Sequence, residues 1–338
     1  MQLLSDLYDM LSTPTAEVVE SVSRLDGDLM LLGVGGKLGP ELALMARRAL
    51  DEAGSSHRVI GVARSLDEAT AARLRNGGVE LAKADLLDTD QLAGLPSAPN
   101  VIYLAGRKFG TSGGEHQTWV LNSHLPGRVA ERFRSSRIVA FSTGNVYPLM
   151  PVTSGGAHEA TGPGPVGEYA QSCLGRERVF EHYSRVNGTP VAIARLNYAV
   201  EMRYGVLLEV ARTVAQGDPV DLRMGTVNVI WQGDVNASTL RLLDHCESPP
   251  FILNLAGPET VSVRWIAERF GELLGVPPTF AGTEEPTALL SNASKSHQLF
   301  GYPQVTLGTL LEWTAEWVRA GGATHGKGTH FQEREGRF

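Results

Sequence analysis

From residue 29 onward, short unbroken apolar runs alternate with stretches whose apolar positions recur at helical spacing. Residues 29–32, 59–62, 79–84, 101–104, 138–141 and 191–196 read as strands. Between them, residues 40–50 predict a helix with Leu42, Met45, Ala46 and Leu50 on one face and Gly54 as its stop. Residues 66–75, 119–133 and 169–185 predict further helices. Continuous apolar strands alternating with helices specify a parallel sheet covered on both faces. The expected fold class is therefore α/β, a Rossmann-type doubly wound parallel sheet with a smaller α/β C-terminal substrate-binding part.

Ahead of the first strand, Leu3, Leu4, Leu7 and Leu11 lie at helical spacing, as do Val18, Val19, Val22 and Leu25. Thr13 before Pro14 reads as the cap of the second of two short helices, with proline in its first turn. Residues 1–27 thus form a helical extension, either cover for the body or an arm for a partner subunit. After about residue 198 the alternation weakens. Residues 206–215, 263–274 and 307–318 look helical, and 227–230 and 251–255 look like short strands. The expected division is the Rossmann-type part over 28–198, a cap over 199–320 interleaved with it, and a mobile polar tail over 321–338, where Gly321, Gly322, Gly326 and Gly328 fall.

The 338 residues suit about two domains at roughly 150 residues each, or one large α/β unit. With 42% apolar and 20% charged residues the chain can bury a core. Lys and Arg total 30 against 37 Asp and Glu, a net charge of −7, which argues against a general nucleic-acid or acidic-membrane binder. The two cysteines, Cys173 and Cys246, exclude a disulfide scaffold and a cysteine-cluster metal site and suit a reducing cytosol. The histidines are scattered without metal-ligand spacing, so no metal is expected. No run approaches the roughly 20 apolar residues that span a bilayer, and Asp6, Asp9 and Glu17 stand where a signal peptide would be basic and then apolar. A cytoplasmic location is expected.

The chemistry begins at Gly33-Val34-Gly35-Gly36-Lys37-Leu38-Gly39, between the first strand and the first long helix. Gly33, Gly36 and Gly39 have the spacing of a dinucleotide cradle. One glycine reverses the chain, one lets backbone approach a pyrophosphate, and one lets helix pack on strand, with the helix N-terminus facing the phosphates. Gly35, Lys37 and Leu38 complete the loop. At the end of the second strand a carboxylate would hold the ribose of NAD; Arg64 and Ser65 stand there, and a cation beside a hydroxyl suits a 2′-phosphate. NADP is therefore expected over NAD.

Several further motifs, in the right order along the chain, resemble the extended short-chain dehydrogenase/reductases, the NAD(P)-dependent epimerase/dehydratase family of sugar-nucleotide enzymes. The resemblance covers about residues 28 to 320. Asp85-Leu86 follows the third strand, where that family contacts adenine. Leu104-Ala105-Gly106 ends the fourth strand beside the cofactor, and Asn122 falls in the following helix. Residues 141–147 resemble the stretch that holds the catalytic serine or threonine, which places it at Thr143, and Tyr169 matches the catalytic tyrosine. Gln232-Gly233-Asp234-Val235 and residues 254–260 resemble later landmarks. The resemblance implies hydride transfer, with Tyr169 exchanging a proton with a carbonyl or alcohol oxygen that Thr143 orients.

The chain departs from the family where a lysine should follow four residues after the tyrosine: Cys173 stands there. A thiol cannot supply the positive field that helps a phenol of pKa near 10 act at neutral pH. Three explanations stay open: activity is lost, Lys108 past the fourth strand is a displaced cation, or Cys173 takes part itself. Gly144 and Asn145 replace the acidic residues that dehydratases place after the threonine, so dehydration is not expected. Two functions follow: an oxidoreductase or epimerase acting on a sugar-like alcohol or ketone, or a catalytically impaired dinucleotide binder serving as sensor or scaffold. Asn145, Arg203, Arg223, Asn228 and Gln232 are the candidate substrate contacts, the arginines suiting a phosphate or carboxylate. The partner expected is a small molecule, namely a sugar, sugar acid or sugar nucleotide, with no nucleic acid and no membrane. A homodimer through the helices at 119–133 and 169–185 is expected from the family's habit.

Overall fold

Leu29–Leu32 have no exposed surface, and the sheet grows outward from them on both sides. In this computed structural model residues 2–338 are described; Met1 and the side chains of Gln2 and Leu3, the latter assigned above to the first helix face, lie outside the described residues. The sheet strands are β1 (Leu29–Leu32), β2 (Val59–Ala63), β3 (Glu80–Lys83), β4 (Asn100–Tyr103), β5 (Arg137–Thr143), β6 (Val191–Leu196) and β7 (Phe251–Leu255). They form one seven-stranded sheet in the order β7-β6-β5-β4-β1-β2-β3. Pairings from β3 through β5 are parallel, with Leu29 beside both Val59 and Asn100. The order reverses at β1, the topological switch at which doubly wound sheets bind ligands.

The helices are α1 (Gln2–Ser12), α2 (Ala16–Ser23), α3 (Gly39–Glu52), α4 (Glu68–Asn76), α5 (Thr89–Gly94), α6 (Glu115–Trp119), α7 (Leu125–Arg132), α8 (Gly167–Asn187), α9 (Val206–Gln216), α10 (Gln232–Arg241), α11 (Val263–Leu274), α12 (Ser294–Phe300) and α13 (Leu307–Arg319). Local chemistry explains their ends. Asp67, Ser262 and Thr306 accept an N–H two or three residues into α4, α11 and α13, while Gly217 and Gly275 close α9 and α11 in the left-handed region. Thr15, not Thr13, caps α2 by accepting from the Val18 amide; the Thr13 hydroxyl instead donates back to the Asp9 carbonyl of α1. The helix expected over 119–133 is broken by a wider turn at 120–124. Pro126 has no N–H for the Asn122 carbonyl, and Arg176 Nε donates to that carbonyl at 3.4 Å. The strand expected over 227–230 is two short pieces, Thr226–Val227 and Ile230–Trp231, which pair with different partners around Asn228.

The chain divides into two compact units interleaved in sequence. The first holds residues 2–142, 171–194 and 235–252; the second holds 143–170, 195–234 and 253–338. In the first, a core of Met30, Leu32, Ile60, Val101, Ile138, Phe180 and Ile193 lies between sheet and helices. The N-terminal helices are structural cover within this unit: Leu7, Leu11, Val18 and Val22 are buried, and Asn236 donates to the Leu11 carbonyl at 3.0 Å. In the second unit part of the segment expected as a loose tail is held down: Thr329 and Phe331 are buried, while most of residues 321–328 are exposed. Among the described residues no helix is long and apolar enough to cross a membrane.

Candidate functional site

In the first unit the glycine loop shows three distinct backbone demands. Gly33 has φ of +94°, and a Cβ there would stand 2.8 Å from the Ala105 amide nitrogen. A Cβ on Gly39 would stand 2.2 Å from the Val34 carbonyl oxygen, so only glycine lets α3 start this close to the loop. Gly36 is different: a Cβ there would meet only the Gly33 carbonyl at 3.5 Å, and the residue is exposed. Gly35, also exposed, faces the Ser65 carbonyl and Leu66. Leu38 caps the 14-residue α3 without a side-chain hydrogen bond. An exposed glycine before the bare amino end of a long helix is the geometry that a pyrophosphate takes. The donor set and the open backbone therefore fit a dinucleotide.

Around this loop stand the other residues expected at a cofactor. Leu104 donates its amide to the Leu32 carbonyl at 2.9 Å, which sets Ala105 against Gly33. Leu86 is buried in the core. Arg64 and Ser65 are exposed, and the Arg64 guanidinium reaches the Asp85 carboxylate at 3.8 Å. Asp85 also turns the chain by accepting from the Leu87 amide. Lys37 and Lys108 flank one ring: their ammonium groups lie 4.8 and 5.5 Å from the Phe109 centroid. The sequence singled out both lysines and missed the aromatic ring between them.

A buried polar cluster, also in the first unit, occupies the stripe of α8 that carries Cys173. Arg176, 6% exposed, donates to the Asn122 side-chain oxygen and to the Phe141 carbonyl, both at 2.8 Å. Asn122 in turn donates to the Arg107 carbonyl and to Ser172 Oγ, and its Nδ2 lies 4.0 Å from Cys173 Sγ. Ser142 donates to Glu177 at 2.5 Å. The Arg176 guanidinium lies 5.6 Å from the Tyr103 ring, whose hydroxyl pKa burial raises. A Cβ on Gly106 would stand 2.4 Å from Arg176 Nη2. Sequence reasoning missed Arg176. Its signal was there: residues 169, 173 and 176 follow i, i+4, i+7 on one helix face.

The second unit carries the expected oxygen-handling groups. Thr143, at the end of β5, is buried, and its Oγ1 accepts from the Asn145 amide at 3.2 Å and from Asn145 Nδ2 at 3.0 Å. With both lone pairs engaged, the hydroxyl is set to donate. Tyr147 donates to Asn254 at 2.8 Å and accepts from Arg195 at 2.7 Å; burial raises its pKa, and Arg195 opposes that. Tyr169 lies in the first turn of α8, its ring edge-on to Phe338 with centroids 5.4 Å apart.

The expected substrate contacts lie in different environments. Asn228 is buried, accepts from Asn197 at 3.0 Å and donates to the Ser291 carbonyl at 2.6 Å. A Cβ on Gly144 would touch Asn197 at 2.9 Å and Ser291 Oγ at 3.0 Å, so this amide cluster backs the turn after Thr143. Ser291 Oγ is buried without a hydrogen-bond partner among the described residues. Gln232 is buried at the start of α10. Arg203 is buried against Glu201 at 2.9 Å, and Arg223 is exposed and bonded to Asp221 at 2.6 Å. Both arginines thus have carboxylate partners. Among the described residues no group of three or more His, Cys, Asp or Glu is placed to hold a metal.

Comparison with solved structures gives the same architecture. The UDP-glucose 4-epimerase of Thermotoga maritima, solved with UDP-glucose, is 16% identical, with a TM-score of 0.70 over 87% of this chain and 99% of that one. The UDP-glucuronic acid 4-epimerase of Bacillus cereus, in complex with NAD, is 18% identical at 0.70 with the same coverage. MoeE5, in complex with UDP-glucose and NAD, is 19% identical at 0.66, again over 87% and 99%. No protein-family model and no curated protein matches the chain. The fold is thus the Rossmann-type α/β fold of these structures, as the resemblance of the motifs implied.

Proposed function

We propose that the chain is a nicotinamide-dinucleotide-dependent epimerase or oxidoreductase acting on a sugar-like alcohol or ketone, with a sugar nucleotide as the favoured substrate. The observation that carries it is the glycine loop. Gly33 and Gly39 are forced by backbone contacts, whereas Gly36 is exposed with room for a Cβ, as a phosphate approach requires. The solved structures that share the fold, two of them epimerases, two solved with NAD and two with UDP-glucose, support the substrate class.

The bound dinucleotide supplies a hydride acceptor and donor. The protein's own residues handle the oxygen. Thr143, held as a donor by the two Asn145 bonds, polarises the substrate oxygen. Tyr169 exchanges the proton. It lacks the lysine of related enzymes, but it sits in the first turn of a 21-residue helix, where the helix dipole favours negative charge. Arg176, two turns along the same face, adds a fixed positive charge to that stripe. Lys108 and Lys37, gathered at Phe109, serve the dinucleotide phosphates or the substrate. Arg64 with Ser65 favours NADP over NAD.

The test is turnover of UDP-glucose and related sugar nucleotides with each dinucleotide, in the wild type and in Tyr169→Phe. Loss of about two or more decades in kcat with little change in dinucleotide affinity is expected. Dinucleotide binding without turnover on any keto or hydroxy sugar would favour the sensor reading that Cys173 allows.

A further inference from the structure

The last stretch of the chain is anchored on the second unit by a series of contacts, the last of them at Tyr169. Thr329 Oγ1 donates to Glu209 at 2.5 Å. Arg334 donates to the Thr287 carbonyl and to Thr287 Oγ1, both at 2.7 Å, and to the Arg223 carbonyl at 3.1 Å. Gly336 has φ of +75°, and a Cβ there would stand 2.3 Å from the Val166 carbonyl oxygen and 2.6 Å from Gly167 Cα. Two backbones can approach this closely only because both residues are glycine. Phe338 then meets the Tyr169 ring edge-on, with centroids at 5.4 Å and planes at 74°.

We propose that residues 329–338 are a built-in plug over the face of the second unit that carries Tyr169, and that the plug must leave before a substrate of sugar size enters. The inference rests on the reading of Tyr169 as the proton-exchanging residue. Space argues for it. With Phe338 and Arg334 in place, the cavity beside Asn145 and Tyr147 measures about 20 Å³. That holds a water, which needs about 10–15 Å³, whereas ligand pockets run to about 300 Å³ or more. Chemistry argues for it as well. Gln332, Glu333 and Arg334 make their contacts only half-buried, and Glu335 and Arg337 are exposed. Contacts of this kind open locally far more easily than a packed core. The rival is a permanent wall of the pocket, in which the segment helps to hold substrate.

The full-length chain tests this with Gly336→Ala, whose Cβ collides with backbone that cannot yield. Phe338→Ala is the second variant, in case the first fails to fold. Amide hydrogen exchange over residues 145–149, 166–169 and 329–338 reads docking without any ligand. Exchange faster by about tenfold in all three segments is expected. Calorimetric titration of UDP-glucose in the presence of NAD reads exclusion. If the docked form dominates by about ten to one, removing it tightens the apparent Kd about tenfold. Unchanged exchange in both variants would overturn the plug, and so would weaker UDP-glucose binding, which is the signature of a wall. If no form of the chain binds UDP-glucose, the sugar-nucleotide reading falls. The exchange result then decides alone: faster exchange supports a segment that covers Tyr169, and equal exchange overturns it.

Discussion

The Arg176 guanidinium and the Asn122 side-chain oxygen are hydrogen-bonded at 2.8 Å on the helix face that carries Cys173. This pair fixes a wide helical turn, a strand end and the loop after β4 at once, because Arg176 also holds the Phe141 carbonyl and Asn122 also holds the Arg107 backbone.

Arg176→Met keeps the length of the side chain and removes the charge. It strands the Phe141 carbonyl and one acceptor site on Asn122 in a buried setting, at about 1–3 kcal/mol for each stranded group. The expected loss in urea unfolding is about 2–4 kcal/mol, with weaker dinucleotide binding as the loop at Arg107 loosens. Wild-type stability in Arg176→Met would show that the cluster is incidental.

The glycine loop predicts a contrast between two neighbours. Gly39→Ala forces a Cβ to 2.2 Å from the Val34 carbonyl, so the start of α3 must shift. A destabilisation of about 1–3 kcal/mol is expected, as for overpacking in a filled site. Gly36→Ala meets nothing closer than 3.5 Å and should leave the unfolding midpoint within about 0.5 kcal/mol of wild type. It should nevertheless weaken NAD(H) or NADP(H) binding, because the methyl occupies the side from which a pyrophosphate approaches. Thermal unfolding and fluorescence titration of both variants check this. A Gly36→Ala protein that binds dinucleotide normally would place the phosphates elsewhere.

These contrasts mark what the sequence made legible. The bounds of β1, β6, β7 and α11 agree with the apolar pattern, because an unbroken run or a 3.6-residue period is local information. The same reasoning misplaced the cap of α2, since Thr13 and Thr15 both precede apolar positions and only the backbone decides which one caps. It ran one helix through residues 119–133 because the Arg176 bond that replaces the lost Pro126 donor comes from a residue 54 positions away. The polar, glycine-rich composition of the last residues suggested a loose tail. Composition does not show that Gly336 and Gly167 allow two backbones to touch. At the site, the tight turn at Gly33 and the close helix packing at Gly39 were legible, while Phe109 and the partners of Arg203 and Arg223 were not. Those depend on long-range placement or on a carboxylate two residues away.

For the cofactor, Arg64 reaches Asp85 at 3.8 Å, but the arginine side chain is 77% exposed. Such a pair contributes only about 0–1 kcal/mol, so a 2′-phosphate can draw the guanidinium away. A charge-assisted phosphate contact is worth roughly 1.5–3 kcal/mol, or about one to two decades in affinity. Arg64→Ala should therefore weaken NADPH by that amount and leave NADH nearly unchanged. Titration of both reduced cofactors decides it, and equal losses would remove Arg64 from cofactor choice.

Restoring the expected lysine gives the sharpest test of the rebuilt helix face. Cys173 is fully buried, and its sulfur faces Asn122 Nδ2, a donor, at 4.0 Å. Arg176 already brings one positive charge to the same Asn122. Cys173→Lys therefore adds volume and a second cation to a buried cluster whose carboxylate, Glu177 one turn along α8, already accepts from Ser142, and a loss of about 3 kcal/mol or more is expected at neutral pH. The sign of its pH dependence follows from burial. Desolvation and a like charge lower the lysine pKa in the folded state below its unfolded value of about 10.4. Between the two values the unfolded chain holds more protons, so stability rises with pH across that window and the penalty shrinks. Urea unfolding of Cys173→Lys and wild type at pH 7 and pH 10 measures both the loss and its recovery. A Cys173→Lys protein as stable as wild type at pH 7 would mean that the pocket still accommodates an ammonium group, and that Arg176 has not taken over this stripe of the helix.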